Sequence, residues 1–273
     1  MGRFDGILLV SDLDGTILND EKHISMADRR ALGVFEAEGG RFSYVTGRAP
    51  VGLTSVFSEY RPSTPVGCLN GGGIYDGGTG KWLARSPLSR DVMELVYEVE
   101  RFDPQMGIEL VSFDGYYFCK KNKTTEEHRS EERLPDLSCA YDEVPGDLAK
   151  LLFVDTPEHL NRLIEHLSHS EWAERYEMIR STDRFYEVMP RGINKGSVLL
   201  SLADRLGIAR ERTVAVGDND NDVAMLRAAG LGVAVANASP AAREAADLVL
   251  DVTNNEDAIA ALIEGLGNGR YPF

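Results

Sequence analysis

Cysteine is scarce in this chain. Three occur in 273 residues, Cys68, Cys119 and Cys139, far apart and with no CxxC pair. That count and spacing argue against a disulfide framework and for buried, reduced thiols in a cytoplasmic protein. Positive charge is also short. Lys and Arg number 29 against 44 Asp and Glu, a formal net charge of -15. General binding to nucleic acid or to an anionic membrane needs a basic footprint, so no nucleic-acid or membrane partner is expected. Long hydrophobic runs are missing near the start. The apolar stretch 7–10 is too short for a secretory h-region or a membrane span, and Asp12 and Asp14 follow at once. No repeat of solenoid period is visible.

What is present is a large apolar fraction, 43%, enough for a substantial core. The length holds one large domain, or a core with a smaller domain inserted. Residues 6–10 read as a buried strand. Ser25, with Asp28 three residues on, starts a helix through Leu32 and Phe35 that stops at Gly39-Gly40. Strands are expected over 41–46 and 65–69, with Leu53, Val56, Phe57 and Tyr60 at helical spacing between them. The alternation resumes late in the chain. Helices over 198–206, 223–229, 241–246 and 258–263 alternate with strands over 213–216, 231–235 and 248–250. This pattern implies βαβ units and a parallel sheet covered on both faces, an α/β fold with a Rossmann-like doubly wound core.

The middle differs. Segments 108–111 and 116–120 flank Asp114-Gly115, a type I′ hairpin signal. The charged stretch 121–133 reads as a solvated helix or loop. A strand over 151–154, a helix carrying Leu160, Leu163, Ile164 and Leu167, and a second hairpin over 179–188 complete an α+β pattern. The expected organisation is a core over 1–84 and 189–273 with an inserted α+β domain over 85–188. Glu109, Tyr117 and Arg184 flank the hairpins and read as a solvated face. The ending 265–273 reads as frayed or as packed on a neighbour.

Four segments carry chemistry. Asp12 and Asp14 directly follow the first strand, where parallel sheets place their sites. One carboxylate there can attack phosphorus and bind metal, while the other trades protons with the departing and attacking oxygens. Thr46-Gly47-Arg48 ends the second strand. A hydroxyl and backbone N–H groups there suit a phosphate oxygen, although the tripeptide alone reads as a helix N-cap. Arg48 fits either a second anionic or hydroxylated group or a surface pairing with an acid. Lys195 opens a helix, where an ammonium is unfavourable unless an anion lies nearby. Asp218-Asn219-Asp220-Asn221-Asp222 crowds three carboxylates, which repel one another unless a cation is present. Hard oxygen donors select magnesium, and an EF-hand is disfavoured because Ala229 stands where its last ligand would be.

Together these segments resemble the four motifs of the haloacid dehalogenase superfamily, and its Cof-like branch in particular. The likeness extends through Leu69-Asn70-Gly71, Glu187-Val188-Met189-Pro190, Gly192-Ile193-Asn194-Lys195-Gly196 and the segments 217–225 and 232–238. Gly72 departs from a frequent alanine, without consequence for chemistry. The resemblance implies a phosphatase that hydrolyses a small phosphorylated metabolite, such as a sugar phosphate, through an aspartyl-phosphate. It makes Asp12 the nucleophile and Asp14 the general acid and base. Thr46, with Gly47, Arg48 and Asn70, would bind substrate, and Lys195 would neutralise charge. Mg2+ would be held by Asp12, the Asp14 backbone carbonyl and Asp218, with Asp222 in support and Asn221 at the phosphate or the metal. The inserted domain would act as a cap that selects substrate. The alternatives are a phosphomutase of the same superfamily and a non-catalytic phosphometabolite-binding protein. Either a monomer or a homodimer is compatible with the sequence.

Overall fold

The computed structural model describes residues 2–271, so Pro272 and Phe273 of the expected terminal segment lie outside the described residues. The chain divides into two compact units. One contains the segments up to Ala84 and from Asn194 onward, and the other is Arg85–Ile193.

The first unit begins with β1 (Leu8–Ser11) and α1 (Met26–Ala37). Ser25 caps α1 by accepting from the Asp28 N–H at 3.0 Å. Then come β2 (Arg41–Tyr44), the short helix α2 (Thr54–Glu59), β3 (Val66–Cys68), β4 (Gly73–Asp76) and β5 (Lys81–Arg85). The strands β4 and β5 were not expected. They flank the glycine-rich turn after Asp76, and β4 pairs antiparallel with β3.

The second unit holds α3 (Val92–Phe102), β6 (Gly107–Ser112), β7 (Gly115–Lys120), α4 (Lys123–Glu131), β8 (Leu148–Val154), α5 (Pro157–Ser168), α6 (Trp172–Arg175), β9 (Tyr176–Arg180) and β10 (Phe185–Pro190). Its antiparallel sheet runs β7-β6-β8-β10-β9. Ile108, Leu110, Leu151, Phe153 and Val188 pack with Val96, Val99, Leu160 and Leu163 into its core. The hairpin joining β6 and β7 pairs Ser112 with Gly115, so its loop is Phe113-Asp114. Neither loop residue has positive φ. The turn is therefore not type I′, because register places Gly115 inside the strand rather than in the loop. Glu109 corrects another expectation. It is fully buried, with His128 Nδ1 2.9 Å from its carboxylate. Lys150 and Glu187 form a second buried pair at 2.7 Å. Arg184 does lie on a solvated face, paired with Glu131, and Tyr117 packs partly buried against the core.

The chain then returns to the first unit with α7 (Lys195–Leu206), β11 (Thr213–Gly217), α8 (Val223–Ala228), β12 (Leu231–Ala234), α9 (Pro240–Ala245), β13 (Leu248–Val249) and α10 (Ala258–Gly267). Gly207, at φ 66°, ends α7 in the left-handed conformation expected of a glycine stop. The sheet order is β13-β12-β11-β1-β2, with every neighbouring pair parallel. All residues of β1, β11 and β12 are buried. Side chains alternate between the two faces of a strand, so both faces of this sheet are covered. β1 lies between β2, which follows it in sequence, and β11, which arrives late. That arrangement is a topological switch point, where a crevice opens beyond the strand ends.

Candidate active site

The switch point holds the acidic residues. Asp12 follows β1 and donates its backbone N–H to the Val216 carbonyl at 3.0 Å. Asp218 follows β11. Gly15 lets the two loops approach. It has φ 79°, and a Cβ there would stand 2.5 Å from Asp218 Oδ2. Among the described residues, Asp12, Asp218 and Asp222 form the group of three whose ligating oxygens lie within 4.8 Å of one another.

Lys195 sits on the first turn of α7 and is fully buried. Its Nζ lies 2.7 Å from Asp12 Oδ1 and 2.7 Å from Asp222 Oδ1. Burial alone would lower the ammonium's pKa, but Asp12 and Asp222 outweigh it and raise the value. The helix N-terminus opposes this cation, and the two carboxylates supply the anions that its position demands. Asp222 is spent internally: Oδ1 meets Lys195, and Oδ2 accepts from the Asp218 and Asn219 N–H groups at 2.9 and 3.0 Å. Asp218 Oδ1 accepts from the Thr16 hydroxyl at 2.6 Å. Sequence reasoning assigned Thr16 no role, although it stands within the first acidic segment.

Charge is unbalanced here. Burial raises the Asp12 pKa well above the usual carboxylate range, and the Asp222 and Asp218 charges add to that against Lys195. Burial and then Asp222 raise Asp218 to about 7. Three carboxylates share one lysine, so the set fits a divalent cation, and its donors are hard oxygens.

Asp14 lies in a different setting. Arg48 Nε donates to its Oδ2 at 2.8 Å and Nη2 to its Oδ1 at 2.7 Å. Lys22 Nζ donates to Oδ1 at 2.8 Å. Burial would raise this carboxyl, but the Arg48 and Lys22 contacts outweigh it and bring it down to about 2. Arg48 thus pairs with an acid, but with a member of the candidate site. Nothing in the spacing of Lys22 pointed to this contact.

Thr46 is not the cap of the following helical turn, whose N-cap is Ala49. Its hydroxyl accepts from the Arg48 N–H at 3.2 Å. Its carbonyl accepts from the Asn70 N–H at 2.9 Å. Asn70 holds φ 54°, an uncommon left-handed conformation for a residue with a side chain. Asn221 Nδ2 donates to Asn70 Oδ1 at 3.1 Å. Asn70 Nδ2 and Asn221 Oδ1 remain buried without a hydrogen-bond partner. Gly47 lies against this pair, since a Cβ on it would meet Asn70 Nδ2 at 3.1 Å. The structure therefore groups Thr46, Gly47, Asn70 and Asn221 through direct contacts. It groups Asp12, Lys195, Asp218 and Asp222 likewise, and it joins Asp14 to Arg48.

The sequence model of the haloacid dehalogenase-like hydrolase family matches residues 9–263. The chain belongs to that family. The Cof-like resemblance carried by the four motif segments holds at this level. The Bacillus subtilis (strain 168) protein YxeH is 31% identical over 268 residues, which cover 95% of this chain and 97% of that protein. The 5-amino-6-(5-phospho-D-ribitylamino)uracil phosphatase YcsE of the same organism is 27% identical over 259 residues, covering 94% of each. A solved haloacid dehalogenase-like hydrolase from Bacteroides thetaiotaomicron has a TM-score of 0.79 at 27% identity, covering 94% of this chain and 98% of that one. No helix among the described residues is long and apolar enough to cross a membrane.

Proposed function

We propose that this hydrolase is a phosphomonoesterase that releases inorganic phosphate from a small phosphorylated metabolite in the cytoplasm, with Asp12 as the covalent carrier. The observation that carries the reading is the buried Asp12–Lys195–Asp222 line at the carboxyl end of the central strand, with Asp218 beside it. Relatives named as phosphatases support the reaction class.

In the first step an Asp12 oxygen attacks phosphorus, and the bond from phosphorus to the leaving-group oxygen breaks. Asp14 is ionised while Arg48 and Lys22 hold it; released from them it takes up a solvent proton and delivers it to this oxygen. In the second step Asp14 takes a proton from water, the water oxygen bonds to phosphorus and the Asp12–phosphorus bond breaks. Phosphate leaves and the carboxylate is restored. Lys195 offsets charge on Asp12 and on the transferring group, which suits a reaction dominated by positioning and charge neutralisation. The unpartnered Asn70 Nδ2 supplies a donor for a phosphate oxygen, and the Thr46 hydroxyl and Gly47 backbone are assigned the same task. Magnesium would be held by Asp12, the Asp14 carbonyl and Asp218, with Asp222 holding the surrounding loop. When bound it would neutralise phosphoryl charge during transfer. The unit Arg85–Ile193 interrupts the catalytic unit in sequence, and we assign it as the substrate-selecting domain.

The deciding experiment measures phosphate release from phosphorylated sugars, polyols and cofactors, with magnesium and then with EDTA. Magnesium-dependent release is expected. No net release from any member, with the protein folded, would sink this reading in favour of a mutase or a binding protein.

A further inference from the structure

Asp14 is bound by more cation than a structural ion pair requires. Two basic groups converge on its one carboxylate. Arg48 presents the planar fork that matches carboxylate or phosphate geometry. Its Nη1 also donates to the Gly52 carbonyl at 3.1 Å, which holds the guanidinium in place without help from Asp14. Lys22 stands in a loop shaped by its own bonds. Its N–H donates to the Asn19 carbonyl at 2.8 Å, and Asn19 Oδ1 accepts from the N–H groups of Glu21 and His23 at 3.1 and 2.9 Å. Arg48 thus has a second tether and Lys22 rises from a shaped loop, so movement of the Asp14 side chain would release its hold on two cations already side by side.

Position says what would replace it. The acid protonates the leaving-group oxygen, so the cations bonded to that acid are assigned to the leaving-group side. We propose that Arg48 and Lys22 form an exchange clamp for a second anionic group on the leaving-group part of the substrate. Its arrival displaces the Asp14 carboxylate and frees it to face the oxygen it serves. The substrate class is then a phosphomonoester with a second negative group, a carboxylate or another phosphate. This deepens the proposed function and rests on Asp14 being the acid and base.

Two matched pairs test it: 3-phosphoglycerate against glycerol 3-phosphate, and fructose 1,6-bisphosphate against fructose 6-phosphate. Calorimetric binding to Asp12→Asn protein with magnesium needs no turnover. The member with the second anion should bind at least about tenfold tighter in one pair or both, a modest figure for charge-assisted hydrogen bonds. Arg48→Gln and Lys22→Met, each added to that protein, should bring the ratio toward one. Lys22 is 62% exposed, so its replacement keeps the test independent of folding. Equal binding within both pairs, or a ratio untouched by both substitutions, overturns the clamp. Phosphate release by the wild type is followed in parallel. Release from no compound counts against the phosphatase reading, whereas equal kcat/KM within each pair counts against the clamp alone.

Discussion

At the scale of single residues, burial gives the acids of this site different tasks. Asp222 has both oxygens engaged by Lys195 and two backbone N–H groups, so it builds the loop that carries Asp218. Asp12 has one oxygen on Lys195. Asp12→Asn changes little volume and removes the proposed nucleophile. Phosphate release should be abolished while the circular dichroism spectrum stays that of the wild type, and appreciable residual turnover would refute the covalent step. Thr16 donates to Asp218, one of the proposed magnesium ligands. Thr16→Val should weaken apparent magnesium affinity about tenfold, the usual scale for a group that orients a ligand. A magnesium titration of activity reads this, with kcat at saturating metal as the control.

At the scale of elements, Asp28 joins α1 to α10. Its N–H is capped by Ser25, and its Oδ1 accepts from the Ala260 N–H at 2.7 Å. Burial raises this carboxyl to about 6, with the Asp257 charge adding to the shift against the hydrogen bonds. The folded state holds the proton more tightly than the unfolded one, so this group's contribution is fully present below pH ~4 and is lost as pH rises through about 6. Asp28→Asn keeps an acceptor for Ala260 and removes the charge. The variant should be more stable than wild type at pH 8, by on the order of 1 kcal/mol, and equal to it near pH 4. Urea unfolding at the two pH values decides, and a variant weaker at pH 8 would show that the carboxylate's attraction for the helix N-terminus prevails.

At the scale of the whole molecule, the excess of acid over base raises the question of how an anionic substrate is attracted. The three-carboxylate group answers in part, because it concentrates negative charge where a divalent ion can reverse it. Asp218, at about 7, and Asp12, also raised, hold protons more tightly than ordinary carboxylates. Stability of the metal-free protein should therefore fall as pH climbs from the ordinary carboxylate range toward 7. On the proposed assignment, protons and magnesium would compete for the same oxygens. Magnesium should raise Tm more at pH 8 than at pH 5, and an equal rise at both would show that the ion binds elsewhere.

Local physics made much of this chain legible beforehand. The alternation of short apolar runs with 3.6-residue periodicity, the Ser25 cap and the Gly39-Gly40 stop depend on neighbours in sequence. The acidic segments at 12–14 and 218–222 were visible because like charges rarely crowd without purpose. What remained hidden depends on partners far along the chain. The β4–β5 hairpin was missed because its strands are short and lie among glycines. Glu109 looked solvated because nothing near it in sequence announces His128. Arg48 reaches Asp14, and Thr16 reaches Asp218, only because the strand order sets the ends of β1, β2 and β11 side by side. A charge is settled by whatever faces it in space. Periodicity and capping decided the elements, and only the tertiary arrangement decided which charges meet.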